Sequence, residues 1–151
     1  VDDMENNILQ VKDYLQNENF EIYSTTSSDQ VFFYLKKYSL DLILLDYEMP
    51  NISGPKLAQK IRDEENYKMI PIIFFTSHTE EEYISKAFEA GGNDYILMPL
   101  KKMEIIFRIR NAIFQYKLML NFSNANMLIK QQLENEQSLL RVVSHDIANP
   151  L

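Results

Sequence analysis

Two patterns of hydrophobic and polar residues alternate along the first hundred residues of the chain. In one, apolar side chains recur at helical spacing, which predicts amphipathic helices; in the other, short apolar runs predict strands covered on both faces. The predicted helices cover residues 4–19, residues 31–38, the neighbourhood of Leu57 and Ile61, and residues 80–90. The predicted strands cover residues 20–24, 40–45, 72–75 and 95–97.

This alternation of strands and helices predicts a parallel sheet with helices packed on both faces. The chain opens at Val1-Asp2-Asp3 without an initiator Met, and these residues would be the end of a first strand. It stops at Asn149-Pro150-Leu151. Both ends predict that the chain is a fragment of a longer protein.

The residues that follow the predicted strands form a candidate site. In parallel sheets of this kind ligands bind at the carboxyl ends of strands, and those ends carry Asp2-Asp3, Asp46, Thr76 and Met98. Two carboxylates about 5 Å apart repel by roughly 3 kcal/mol at an effective dielectric near 20, so a cation or a proton must relieve them. Oxygen ligands without Cys or His predict Mg²⁺ as that cation.

A different pattern begins beyond Pro99, where residues 101–148 contain no Gly or Pro and predict one long helix. Its apolar residues follow alternating steps of three and four, which is typical of a coiled coil. One phase is Ile106, Ile109, Ile113, Tyr116 and Leu120, and a second is Ile129, Leu133, Leu140, Val143 and Ile147, with Glu136 at one seam position. We expect residues 103–148 to form a parallel homodimer, because a small domain cannot cover so long a stripe and the stripe would then have no intramolecular cover.

Composition narrows the possible functions. The chain is 46% hydrophobic, which is typical of a folded protein, and its net charge of −7 disfavours binding to nucleic acid. It contains no Cys, which excludes disulfides and thiolate metal sites. No apolar run approaches the roughly 20 residues needed to span a bilayer, so we expect a cytoplasmic location with no membrane contact in this segment.

The residues at the strand ends match a known family. Asp2-Asp3, the block Asp46-Tyr47-Glu48-Met49-Pro50, Gly54, Thr76, Tyr95 and Pro99 together resemble the receiver domain of two-component response regulators, over residues 1–117. The resemblance implies a doubly wound α/β fold, with a flavodoxin-like five-stranded parallel sheet in the order 2-1-3-4-5. A flavodoxin itself and a haloacid-dehalogenase-type phosphatase fit less well: Asp2-Asp3 would repel a flavin phosphate, and the dehalogenase nucleophile sits on the first strand.

The same resemblance assigns roles to individual residues. It implies that Asp46 is the phosphoacceptor and that Asp2, Asp3, Asp46 and the backbone carbonyl of Glu48 bind Mg²⁺. Thr76 would hydrogen-bond the phosphoryl group, and Tyr95 would be the aromatic residue that changes position on phosphorylation.

Met98 departs from the family pattern, because similar receivers place a Lys immediately before the Pro, where it pairs with the phosphoacceptor. Methionine carries no charge and can simply fill space. Lys101 and Lys102 follow on the next helix. Two hypotheses therefore stand: a receiver that is phosphorylated, and a degenerate pseudo-receiver that serves as a phosphorylation-independent dimerisation and interaction module.

The C-terminal segment carries a second motif. Ser144-His145-Asp146 and Asn149-Pro150-Leu151 resemble the start of the dimerisation and phosphotransfer domain of sensor histidine kinases, in residues 118–151. The resemblance implies that His145 accepts a phosphoryl group, that Asp146 orients its ring and that Asn149 assists transfer. We expect a hybrid histidine kinase whose partners are a kinase ATP-binding domain and phosphorelay proteins. The full-length protein would be an ATP-dependent transferase, although these 151 residues contain no ATP-binding domain.

Overall fold

The computed structural model describes residues 1–148, which divide into two compact units, Val1–Tyr116 and a second unit that begins at Lys117. The predicted site residue Asn149 lies outside the described residues. No helix within the described part of the chain is long and apolar enough to cross a membrane.

A parallel sheet organises the first unit. Its strands are β1 (Ile43–Asp46), β2 (Ile72–Thr76) and β3 (Asp94–Leu97), in the order β1-β2-β3. The register pairs Asp46 with Phe75, and Thr76 with Leu97, so β1 and β2 end at the same edge of the sheet. Every residue of β2 is buried, as predicted for a strand covered on both faces.

Helices cover both faces of this sheet, as the alternating pattern predicts. Ile72 and Phe74 of β2 belong to one hydrophobic cluster, and Ile73 and Phe75 belong to another, because successive side chains of a strand point to opposite faces. The helices are α1 (Glu5–Leu15), α2 (Val31–Lys37), α3 (Gly54–Asp63), α4 (Glu81–Glu89) and α5 (Lys102–Ala148), with a short 3₁₀ turn at Ser28–Gln30.

The predicted five-stranded sheet is reduced to three strands in the described residues, and residues 20–24 are not a strand. Val1 lies beside β1, with its N terminus donating to the Leu44 carbonyl at 2.7 Å and its carbonyl accepting from the Asp46 N–H at 2.8 Å. On the other side the Asp2 N–H donates to the Thr25 carbonyl at 3.3 Å. These few hydrogen bonds place residues 1–2 between two neighbours, but they are too few to form a ladder.

The single long helix predicted beyond Pro99 is present as α5, which has 47 residues. The expectation that its whole apolar stripe lacks intramolecular cover is wrong. Ile106 and Ile109 are buried in the first unit, and Ile113 and Tyr116 pack against its hydrophobic clusters. The cause is that the first turns of α5 close one face of the sheet. The exposed stripe therefore begins only after these turns.

Candidate functional site

The acidic residues predicted from the strand ends converge on one cleft of the first unit. One carboxylate oxygen from each of Asp2, Asp3 and Asp46 lies within 4.8 Å of the other two. Thr76, Glu48 and Met98 also line this cleft. The parallel register of β1 and β2 produces the convergence, since both strands end at the same edge of the sheet.

Asp2 is held by donors that carry no net charge. It is 2% exposed, and its carboxylate accepts hydrogen bonds from the Met4 N–H at 2.8 Å and from the Asn7 side-chain amide at 3.0 and 3.2 Å. Sequence reasoning missed Asn7. Its position in the first turns of the helix that follows the acidic pair was the available signal.

Asp46 has an unusual proton affinity for a surface carboxyl group. Burial, followed by the nearby negative charge of Asp2, raises the pKa of Asp46 from 3.8 to about 7; the Asp3 side chain adds to the rise, while the Glu48 N–H opposes it. That N–H donates to Asp46 Oδ1 at 3.3 Å. Without a cation, Asp46 therefore takes up a proton near neutral pH.

Within the described residues, no positively charged side chain lines the cleft that holds this cluster. Among the described residues that line the cleft there is no Lys, Arg or His, and Met98 stands at the end of β3, where it packs against the hydrophobic cluster that contains Ile96. Lys101 and Lys102 are exposed and do not line the cleft. Met98 therefore supplies no positive charge to the cleft.

The donor set fits Mg²⁺. Three carboxylates within reach of one another, with no Cys or His among them, match the oxygen ligands that this ion takes, and the open cleft leaves room for the waters that it keeps. Asp2, Asp3, Asp46 and the Glu48 carbonyl remain the predicted ligands. Bound Mg²⁺ would neutralise the carboxylates and the oxygens of an incoming phosphoryl group.

The other predicted residues lie at three separate places. Thr76 is 5% exposed at the end of β2, and its hydroxyl oxygen accepts a hydrogen bond from the His78 N–H at 3.0 Å. Tyr95 on β3 does not line the cleft; its ring meets the ring of Phe88 edge-on, with 6.0 Å between centroids. His145 and Asp146 lie on α5 in the second unit, with side chains 74% and 75% exposed and 3.6 Å between Nδ1 and Oδ1.

One glycine allows the loop after Asp46 to reach α3. The Gly54 N–H donates to the Tyr47 carbonyl at 2.9 Å, which closes the loop between β1 and α3. A Cβ atom at position 54 would lie 2.2 Å from the Asp46 carbonyl oxygen. Only glycine permits this approach of helix to strand.

Comparison with known proteins agrees with this geometry. A model of the response regulator receiver domain matches residues 1–110. The regulatory protein VanR of Enterococcus faecium is 33% identical over 122 residues, which cover 81% of this chain and 48% of VanR. The transcriptional regulatory protein ResD of Bacillus subtilis is 33% identical over 120 residues, which cover 80% of this chain and 48% of ResD. The chain thus spans about half the length of these relatives.

Solved structures share the fold. One is the receiver domain of sensor histidine kinase PA1611 from Pseudomonas aeruginosa PAO1, which has a magnesium ion coordinated in its active site cleft. It is 25% identical to this chain, with a TM-score of 0.68, and the match covers 75% of this chain and 93% of that one. The chemotaxis protein CheY4 of Vibrio cholerae is 21% identical with a TM-score of 0.69, over 74% and 92% of the two chains. The chain belongs to the response regulator receiver family of two-component signalling.

Proposed function

We propose that this receiver accepts a phosphoryl group on Asp46 with the help of Mg²⁺ held by Asp2, Asp3, Asp46 and the Glu48 carbonyl. The observation that carries the proposal is the convergence of three carboxylates in one cleft. A fold retains such repulsion where a metal or a proton relieves it. The magnesium ion in the PA1611 receiver supports the same assignment.

The residues of this chain then have distinct tasks in phosphoryl transfer. A carboxylate oxygen of Asp46 forms the new bond to phosphorus while the bond from phosphorus to the donor breaks, and the donor leaves with the electron pair. Asp46 must be deprotonated to attack. Burial is the main cause of its raised pKa, and a cation that neutralised Asp2 and Asp3 would remove the part of the rise that those two carboxylates cause. The Thr76 hydroxyl, at the adjacent strand end, donates to a phosphoryl oxygen.

The test is phosphorylation by acetyl phosphate with Mg²⁺, measured by intact mass. The parent should gain one phosphoryl group, and the Asp46→Asn variant should gain none. If the parent gains none, the alternative holds: a pseudo-receiver that acts by protein contacts alone, which the uncharged Met98 in the cleft favours. If the Asn variant is labelled equally, Asp46 is not the acceptor.

For the sheet, we propose that residues 1–3 and 20–24 occupy the places of two further strands, in the order 2-1-3-4-5. Three hydrogen bonds support that order: Val1 N donates to the Leu44 carbonyl, the Asp46 N–H donates to the Val1 carbonyl, and the Asp2 N–H donates to the Thr25 carbonyl. Amide exchange should then show protection of the Asp46 N–H, which donates to the Val1 carbonyl.

For the output, we propose that α5 leads into a histidine kinase phosphotransfer segment with His145 as its acceptor. VanR and ResD are regulatory proteins by name, and the family match ends at residue 110, so the proposal depends on residues beyond that match. Its support is the exposure of His145, which an ATP-binding domain must reach, and the adjacent Asp146. Labelling with ATP and a kinase core added in trans should reach His145; labelling that persists in His145→Ala would refute this assignment.

We also propose that the second unit pairs with a second copy as a parallel coiled coil. Its seam residues Ile129, Leu133, Leu140, Val143 and Ile147 are 45–74% exposed. They follow steps of four, seven, three and four residues, with Glu136 at the seam position between Leu133 and Leu140. Two Glu136 side chains would face each other there, so Glu136→Leu should strengthen the dimer in sedimentation equilibrium. Glu134→Leu, outside the seam, is the control, and a monomeric parent at tens of micromolar would refute pairing.

A further inference from the structure

His78 lies in the loop between β2 and α4 and contacts the neighbouring loop after β1. Its ring Nε2 lies 2.7 Å from Glu48 Oε1, and because a carboxylate oxygen accepts, Nε2–H donates. The second carboxylate near the ring, that of Glu80, lies 3.6 Å from Nδ1, which is too far for a hydrogen bond. The ring therefore has one firm polar partner, Glu48.

The position of this ring is fixed by packing. His78 stacks on Tyr83 of α4 with 3.8 Å between centroids and 5° between planes, and Tyr47 meets it edge-on at 6.0 Å. The His78 side chain is only 23% exposed. A loop ring that packs in this way against a helix is a rigid support for the group that accepts the hydrogen bond from its Nε2–H.

The backbone of the same two residues reaches the predicted chemistry. The His78 N–H donates to the Thr76 hydroxyl oxygen at 3.0 Å, and the Glu48 N–H donates to Asp46 Oδ1 at 3.3 Å. The hydrogen bond between the His78 and Glu48 side chains thus joins the loop that carries the Thr76 contact to the loop that carries the Asp46 contact. Glu48 is also the residue whose carbonyl is the predicted metal ligand.

A contribution to the free energy of folding does not by itself account for the hydrogen-bonded pair of His78 and Glu48. The Glu48 side chain is 67% exposed, and ion pairs of such exposure contribute little to the free energy of folding. What the pair does provide is a link between the Glu48 side chain and the loop that follows β2. Its effect should therefore be larger on metal binding than on unfolding.

We propose that His78 is a positioning residue for the Mg²⁺ site: its imidazole holds the Glu48 carboxylate and thereby restrains the Glu48 backbone, whose carbonyl is a predicted metal ligand, beside the cleft that Asp2, Asp3 and Asp46 line. This inference rests on the proposed function, because it requires the Mg²⁺ site. His78 does not itself touch the metal or the phosphoryl group; it acts through Glu48.

The experiment titrates Mg²⁺ against the chain and follows the amide NMR signals of Asp46 and Glu48. His78→Phe keeps a ring for Tyr83 but loses the donor, and we expect its Mg²⁺ affinity to fall about tenfold, the lower range for partners of metal ligands. Its urea midpoint should stay near that of the parent. His78→Gln restores a donor and should recover most of the affinity. Glu80→Gln is the matched control and should bind as the parent does.

The outcomes separate this inference from the proposed function. A parent chain that binds no Mg²⁺ removes the proposed metal site and this role with it. A parent that binds Mg²⁺, with His78→Phe within twofold of it, overturns the role of His78 alone. A loss of affinity that follows a lower urea midpoint and is not rescued by His78→Gln also overturns it, since the ring would then serve packing only.

Discussion

Removal of the Asp46 charge should stabilise the metal-free protein above neutral pH. The folded-state pKa of Asp46 is raised to about 7, chiefly by burial and then by the charge of Asp2, whereas an unfolded Asp titrates near 3.9. Between these values the folded chain holds a proton that the unfolded chain has released. The free energy of unfolding therefore falls as pH rises from about 4 to about 7.

The size of this effect follows from the pKa difference. About three pKa units correspond to ~4 kcal/mol for a fully buried group. Because Asp46 is only half-buried, solvent screening reduces the expected contribution to about 1–2 kcal/mol. Asp46→Asn should thus be more stable than the parent by about 1–2 kcal/mol near pH 8, and the two should converge near pH 4.

Urea unfolding followed by far-UV circular dichroism, in EDTA and across this pH range, measures the difference. Saturating Mg²⁺ should stabilise the parent at high pH more than the Asn variant, because the ion relieves the same repulsion. Asp63→Asn, at the exposed end of α3, is the control; it keeps Asp46, so its stability should follow the same pH profile as that of the parent. Parallel pH profiles for the parent and Asp46→Asn would refute the reasoning.

Three further predictions concern other positions. Gly54→Ala should destabilise the fold by about 3 kcal/mol in urea unfolding, because its Cβ would press on the Asp46 carbonyl oxygen; a loss below about 1 kcal/mol would mean that α3 shifts freely. Arg62→Leu should lower the free energy of unfolding by about 3 kcal/mol in the same assay. The reason is that the guanidinium donates to the Ile70 carbonyl at 2.8 Å and to the Gly91 carbonyl at 2.6 and 2.9 Å. Lys60→Leu, exposed on the same helix, should change this free energy little. Met98→Lys should place an ammonium group in the cleft and stabilise the metal-free chain near pH 8 by about 1 kcal/mol. It should also weaken Mg²⁺ binding, measured by calorimetric titration. An unchanged Mg²⁺ affinity would show that the new amine points to solvent.

Much of the fold was accessible from the sequence because the relevant signals are local. Apolar runs located β1, β2 and β3, and the polar residues directly after them located Asp46 and Thr76. Parallel pairing then brings those residues to one edge of the sheet. The five-stranded count is not confirmed, since residues 1–3 and 20–24 make too few hydrogen bonds with their neighbours to form ladders.

The remainder depends on which surfaces meet in three dimensions. The spacing of Ile106 and Ile109 on α5 was correct for a seam, but spacing does not distinguish cover by the chain's own sheet from cover by a second chain. His78 gave no signal because its partner Glu48 is 30 positions away, in a loop whose course is irregular. Asn7 was missed because amide side chains are common on exposed helical turns.

The close approach at Gly54 also restricts how this chain can vary over evolutionary time. Every other amino acid brings a Cβ atom, so any amino-acid substitution at this position meets the Asp46 carbonyl oxygen. The restriction depends on backbone geometry and not on phosphorylation. A lineage that abandoned Asp46 chemistry and kept only a pseudo-receiver would still retain glycine at position 54. Glycine at position 54 therefore reflects a requirement of the fold, whereas the residues at positions 46 and 98 reflect the chemistry of the cleft.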